Sequence, residues 1–372
     1  MIKLDAEQEV KTLKQAKTLL LYGQADYVER IRTYLLEIAP QMKVLEWVFS
    51  LYAKRPEKTV FDFRQYDAKL SGLDRGQPIF VVFSMSQHQA VRESLERFGF
   101  RTVYYYTADM ENALKREYFA RMFAKTGRDY QEIYALPAEH AAADETVCVY
   151  MTRCVVDKPL RQSAGILPKV LVPVQAGAAL TEQRIAELTD DMGENISNRN
   201  RHYSEMTVAY WAWKNSSAAY IGMSHYRRLF TQPERIAEKL RTTDVEAVLP
   251  LPTLYLHALE KEYFLRYIPE VWPTMLAVLD EMHPEYSEAA RQIFAGKYFY
   301  GNNMWVLRRD VLDAFFSWMF PMLFEIERRI GELEDPYYNR YTGFCSELLT
   351  TLYFLDNRRG WKIAYAEKIF LN

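Results

Sequence analysis

The chain has 372 residues, with 47 Lys and Arg against 49 Asp and Glu and a formal net charge of −2. That length accommodates about two domains. A content of 49% hydrophobic and 26% charged residues is globular, which excludes disordered, collagen-like and coiled-coil chains. Balanced charge gives no electrostatic footprint for nucleic acid, so none is expected as a partner. Three cysteines without paired-ligand spacing argue against a disulfide framework and a cysteine zinc site, and suit a reducing cytoplasm. The polar, acidic opening residues carry no signal-peptide pattern.

In chain order, the first part alternates strand and helix signals. Thr18–Tyr22 is a short apolar run ending at Gly23. Val28, Ile31, Leu35 and Ile38 share one face of a helix over Asp26–Ile38. Met42–Phe49 and Ile79–Phe83 read as strands, Gln87–Phe98 as a helix stopped by Gly99, and Thr102–Tyr106 as a strand. Repeated strand, helix, strand predicts a Rossmann-like parallel sheet with crossovers. A dinucleotide turn needs several glycines, but only Gly23 is present, and Asp26 would repel phosphate at the helix start. A shell of unassigned role is therefore expected over residues 1–145, with a linker near Pro137 and Ala141–Ala143.

A second α/β domain is expected over 146–372. Its strands are Val147–Met151, Val170–Val174, Ala219–Met223, Glu246–Leu251 and Tyr298–Leu307. Its helices run from Thr181 to Leu188, from Tyr203 to Trp213, and along a face made by Leu312, Phe315, Phe316, Met319, Leu323 and Ile326, with Pro321 as a kink. The apolar stretch Val311–Ile326 contains Asp313, Ser317, Pro321 and Glu325, and is too short and polar to span a bilayer. An aromatic content of 15% suits either a carbohydrate-stacking surface or a Tyr-rich core.

Four segments can carry chemistry. The polar run Asp190–Asn200 suits hydrogen bonding to a multi-hydroxyl ligand, and Asp190-Asp191 can offer carboxylates to a divalent cation; the alternative is a capped, solvated loop. Ser224-His225-Tyr226-Arg227-Arg228 follows an apolar strand, where α/β sheets bind ligands. Its arginines can neutralise a diphosphate and its histidine can donate to phosphate or move a proton; the alternative is ordinary ion pairing and a histidine satisfied in the core. Gly301-Asn302-Asn303-Met304 can read sugar hydroxyls or mark a strand bend. Glu347 opens an apolar helix and can be a general base or a helix-end carboxylate.

Taken together, Asp190–Ser197, Asn200, Tyr203–Thr207, Tyr210–Asn215, Tyr220–Arg228, Asn303-Met304, Trp318–Pro321, Gly343-Phe344 and Glu347 resemble, in order, the domain-of-unknown-function 4422 family. That family is similar to GT-A glycosyltransferases of bacterial capsule, exopolysaccharide and O-antigen assembly. The resemblance implies a GT-A-like mixed α/β domain, a nucleotide-sugar donor such as a UDP-hexose of galactose type, and a saccharide acceptor. A lipid-linked acceptor would bring the protein to the cytoplasmic face of the inner membrane as a peripheral partner. On this reading His225, Arg227, Arg228 and Glu347 are catalytic: the arginines stabilise the leaving diphosphate and Glu347 deprotonates the acceptor. Gln175, Asp190, Asp191, Asn195, Asn198, Tyr203, Glu205, Tyr226 and Asn303 bind substrate, with Trp211 as a further stacking ring or core residue. Two departures stand out. A His-Lys pair common in the family is replaced by Thr152–Lys158, and an Asp-x-Asp site by His225–Arg228, while Asp244-Val245-Glu246 reads as a strand entry. The arginine pair favours metal independence, with Mn²⁺ or Mg²⁺ as the alternative. A non-catalytic binding or scaffold protein of a polysaccharide assembly complex is the rival reading.

Overall fold

The computed structural model describes residues 6–49, 74–82, 95–97, 99–160 and 167–371. The chain divides into two compact units, Met1–Tyr130 and Gln131–Asn372.

The first unit runs α1 (Ala6–Lys14), β1 (Thr18–Gln24), α2 (Ala25–Ile38), β2 (Lys43–Phe49), β3 (Ile79–Val82), β4 (Val103–Tyr105) and α3 (Ala108–Lys125). Its strands lie in the order β2-β1-β3-β4, all parallel, which is the expected Rossmann-like sheet. Leu19–Tyr22 and Ile79–Val82 are wholly buried. A strand covered on both faces carries no polar alternation, which is why both appear as unbroken apolar runs. The Thr107 hydroxyl accepts from Met110 N–H and starts α3. Gly23 lies inside β1, where a Cβ would stand 2.2 Å from the Val82 carbonyl oxygen. Strand approach therefore requires this glycine. α2 begins at Ala25, directly after β1, so no glycine-rich turn separates strand from helix. Of the helix expected over Gln87–Phe98, residues 95–97 are helical and the rest lies outside the described residues.

The second unit begins earlier than residue 146. Tyr365 N–H donates to Gln131 O, Glu139 N–H to Thr242 O and Ala143 N–H to Arg241 O, so 131–145 are bonded into this unit. It contains β5 (Val147–Arg153), β6 (Leu171–Gln175), β7 (Leu188–Thr189), α4 (Asn200–Tyr203), α5 (Met206–Asn215), β8 (Tyr220–His225), β9 (Arg228–Phe230), α6 (Pro233–Leu240), β10 (Ala247–Pro250) and β11 (Thr253–Leu254). There follow α7 (Leu259–Phe264), α8 (Val271–Met282), α9 (Ser287–Phe294), β12 (Tyr298–Phe299), β13 (Trp305–Arg308), α10 (Arg309–Ile330), α11 (Tyr341–Asp356), β14 (Ile363–Ala366) and β15 (Lys368–Phe370). The main sheet has the order β14-β10-β13-β8-β5-β6-β7. β13 is antiparallel to both neighbours, while the remaining pairs along this path are parallel. β9 joins β8 and pairs with β15.

Three expectations are corrected by local bonding. Residues 181–187 form no helix, because Gln175 donates to Gln183 O (2.7 Å) and accepts from Ile185 N–H (2.8 Å), holding them as a loop before β7. The helix read over Tyr203–Trp213 is two, broken at Ser204, whose φ is 49°. The strand read over Tyr298–Leu307 is likewise split into β12 and β13 by the turn between them. α10 buries Phe315, Phe316, Met319, Phe320 and Leu323, so this apolar stretch is core and offers no membrane surface. Among the described residues, no helix is long and apolar enough to cross a membrane.

Candidate active site

The carboxyl ends of β5, β6 and β8 share one edge of the sheet. A cleft of about 940 Å³ opens there, with Thr152, Ala176, His225, Tyr226 and Arg228 in its lining. Parallel strands place ligands at this edge because the loops that follow them leave a crevice. Glu205, immediately before α5, and Glu347 of α11 also line it.

The turn between β12 and β13 holds the cleft together. Asn302 and Asn303 both have left-handed backbone, with φ of 75° and 45°. Asparagine tolerates this region better than other residues with a Cβ, yet consecutive examples persist only where surrounding bonds fix them. Asn302 N–H donates to Glu347 Oε1 (2.5 Å), and the Asn302 carbonyl accepts from His225 Nε2 (2.5 Å). Lys368 Nζ donates to Asn302 Oδ1 (3.0 Å). Asn303 Nδ2 donates to Glu205 Oε1 (2.8 Å), and its Oδ1 accepts from Ser346 Oγ (3.1 Å). A Cβ at Gly301 would stand 2.8 Å from the Phe299 ring, so a larger residue there would displace that ring.

These contacts set the charge states. Burial, with the Glu205 carboxylate second, pushes the Glu347 carboxyl up to about 7, against the Asn302 N–H, Lys368 and Arg228. Burial also holds the His225 imidazole below its ordinary value, in spite of Glu205. A carbonyl can only accept, so the neutral imidazole carries its hydrogen on Nε2 and leaves Nδ1 as an acceptor. The site thus offers a carboxyl that titrates near neutrality beside an uncharged imidazole and two cations.

The structure brings together Glu205, His225, Tyr226, Arg228 and Glu347 in the cleft lining, with Asn303 holding Glu205 from behind. Arg227 is not among the lining residues. Its guanidinium lies 5.4 Å from the Tyr226 ring centroid and its Nη2 is 3.5 Å from Pro159 O.

Within the Asp190–Asn200 segment Asn200 lines the cleft, while Asp190, Asp191, Asn195 and Asn198 lie outside its lining. Asp190 is fully buried and accepts from Gly177 N–H, Ala178 N–H, Ser197 Oγ and Thr207 Oγ1. Both its oxygens are occupied by the loop it supports. Asp191 accepts from Thr189 Oγ1 and Arg184. Asn195 ties Asp191 O, Gly193 O and Ser197 N–H together, and Asn198 is exposed outside the cleft lining. Gln175 is spent on the loop before β7, as described above. Tyr203 is buried, with its hydroxyl on Glu327 and its ring beside Phe324, and Trp211 packs edge-on against Tyr150. None of these residues lines the cleft.

The Gly301–Met304 segment is legible in the sequence, but the part played by the Asn302 backbone, which bonds Glu347 and His225, is not. Sequence reading missed Lys368, Arg201, Arg340 and an aromatic wall made by Tyr255, Tyr267, Phe299, Tyr337 and Phe344. These rings come from separated segments with no shared pattern, so only the fold collects them.

A divalent cation does not suit this donor set. Amide groups take one oxygen of Glu205 and one of Glu347, and Arg228 and Lys368 add positive charge that opposes a cation there. Among the described residues, no three His, Cys, Asp or Glu side chains are grouped to hold an ion.

The class these features define is an α/β protein with a mixed sheet and a carboxylate-bearing, aromatic-walled cleft at the sheet edge. Residues 161–358 match the model described as "Domain of unknown function (DUF4422)", and the chain belongs to that family. Among solved structures, the apo structure of the bifunctional glycosyltransferase WbbM is similar, with a TM-score of 0.54 and 22% identity. The match covers 61% of this chain and 45% of that one, so the chain spans less than half of WbbM's length. No curated protein matches the chain in sequence.

Proposed function

We propose that the protein is a glycosyltransferase that moves a hexose, of galactose type, from a UDP-sugar to a saccharide acceptor in capsule, exopolysaccharide or O-antigen assembly. The observation that carries this reading is the Glu347 carboxyl, held near neutrality inside a cleft at the carboxyl edge of the sheet. The family membership and the fold shared with WbbM support it. In the proposed reaction, ionised Glu347 takes the proton of an acceptor hydroxyl through its outer oxygen, while Asn302 N–H holds the other. The acceptor oxygen forms its bond to the anomeric carbon as the bond to the diphosphate oxygen breaks, and UDP leaves with that electron pair. Arg228 stabilises the charge gathering on the diphosphate, an effect strengthened where water is excluded. Neutral His225 offers Nδ1 as an acceptor for a sugar hydroxyl.

Titration with a panel of nucleotide sugars by calorimetry, with Mn²⁺ and with EDTA, followed by a transfer assay, tests the reading. Selective UDP-sugar binding that persists in EDTA and is followed by turnover is the expected result. Binding without turnover on any saccharide would transfer the argument to a non-catalytic binding protein.

A further inference from the structure

The aromatic wall of the cleft has no part in the chemistry above. Tyr267, in the segment joining α7 to α8, lies on Phe344 near the start of α11 with centroids 4.1 Å apart and planes at 28°. Tyr337 joins this cluster, tilted on Phe344 at 5.5 Å and 48° and lying 6.4 Å from Tyr267 at 20°, and is 50% exposed. A second stack pairs Tyr255 with Phe299 of β12 at 5.1 Å and 29°, with the Arg266 guanidinium 4.8 Å from the Tyr255 centroid. All five rings line the cleft that contains Glu347, and four of them meet Glu347 again in a smaller hollow.

Rings packed for stability alone are enclosed, as Phe315 and Phe316 are in α10. These rings are half-buried or exposed, with edges fixed by stacking. A sugar ring presents an apolar C–H face bounded by hydroxyls, and a fixed aromatic face buries the first while polar neighbours meet the second. Arg266, Asn302 and Arg340 line the same cleft and supply hydrogen-bond donors.

We propose that the Tyr337-Tyr267-Phe344 stack is the acceptor subsite: it receives the terminal ring of a neutral saccharide and turns one of its hydroxyls toward Glu347. This rests on the transferase reading, and it leaves the strand-edge half of the cleft, around Thr152, Ala176 and Arg228, for the nucleotide. The two halves meet at Asn302.

The test uses the full chain, UDP-galactose by calorimetry, and methyl glycosides of galactose, glucose and mannose by saturation-transfer NMR titration. Tyr337→Ala removes a half-exposed ring, and Phe344→Leu keeps apolar volume while removing the flat face; thermal midpoints check that both variants fold. Each should weaken the best-bound glycoside by about tenfold, the loss expected when one ring contact goes, with the UDP-galactose affinity of the unaltered chain retained. Unchanged glycoside affinity, a parallel loss of nucleotide-sugar affinity, or no glycoside binding by the unaltered chain would each overturn the assignment. Glycoside binding that depends on these rings in a chain that binds no nucleotide sugar would retain the saccharide site and reject the transferase reading.

Discussion

Asp190 and Glu347 are both enclosed by the second unit, but they are served differently. Asp190 receives two backbone N–H groups and two hydroxyls, which fill both oxygens. Glu347 accepts from the Asn302 N–H on one oxygen, faces the cleft, and has the Glu205 carboxylate for a neighbour. A carboxylate with donors on every side is a strut, since its charge has been compensated at the time of folding. One left short of donors and pushed up to about 7 keeps a proton equilibrium available for chemistry.

The contrast can be broken most forcefully at Glu347. Glu347→Gln retains an oxygen for Asn302 N–H but cannot take a proton, so transfer should fall by about 10²- to 10⁴-fold with the circular dichroism spectrum unchanged. Full activity in that variant would end the general-base assignment. Asp190→Ala should act on the fold instead. It removes the acceptor shared by four interior donors and should cost about 3 kcal/mol, read as a lowered denaturation midpoint.

The pH response sharpens the distinction. The Glu347 carboxyl ionises at 4.5 when unperturbed and at about 7 in the folded chain, so the folded state prefers the protonated form. Its contribution to stability is present in full below 4.5 and is lost as pH rises through about 7. Activity runs the other way: a base must be ionised, so kcat/KM should climb across the same window. Glu205→Gln removes the neighbouring like charge and should move the rising limb to lower pH; a limb that stays in place would show that Glu205 does not act on Glu347. The smallest effect is expected for Ser197→Ala. It takes one donor from Asp190 and should cost about 1 kcal/mol while transfer is unaffected.

The sheet strands were legible because burial on both faces leaves long apolar runs, as in β1 and β3. The edge at His225–Arg228 was legible because polar residues follow such a run directly. Polar density in the Asp190–Asn200 segment carries no information about direction: Asp190 and Asn195 bond the loop itself, while Asn200 lines the cleft. Tyr203 misled, since a tyrosine needs only one polar partner and found it in Glu327. A bend at Gly301–Met304 was legible as one of two readings; the left-handed backbone of Asn302 and Asn303 was not, because Glu347, His225 and Lys368 fix it from distant segments.

The position of β13 has a consequence for how the protein is made. It fills the space between β8 and β10, yet it leaves the ribosome only after everything from β9 to β12. Until then β8 has a bare edge, and Ile221 and Met223, fully buried in the finished sheet, lack their cover on that side. Pairing across so much intervening chain is slow, and a waiting apolar edge is a template for association between nascent chains. Yield in a cell should therefore follow translation rate and chaperone supply more closely than it follows the stability of the completed fold.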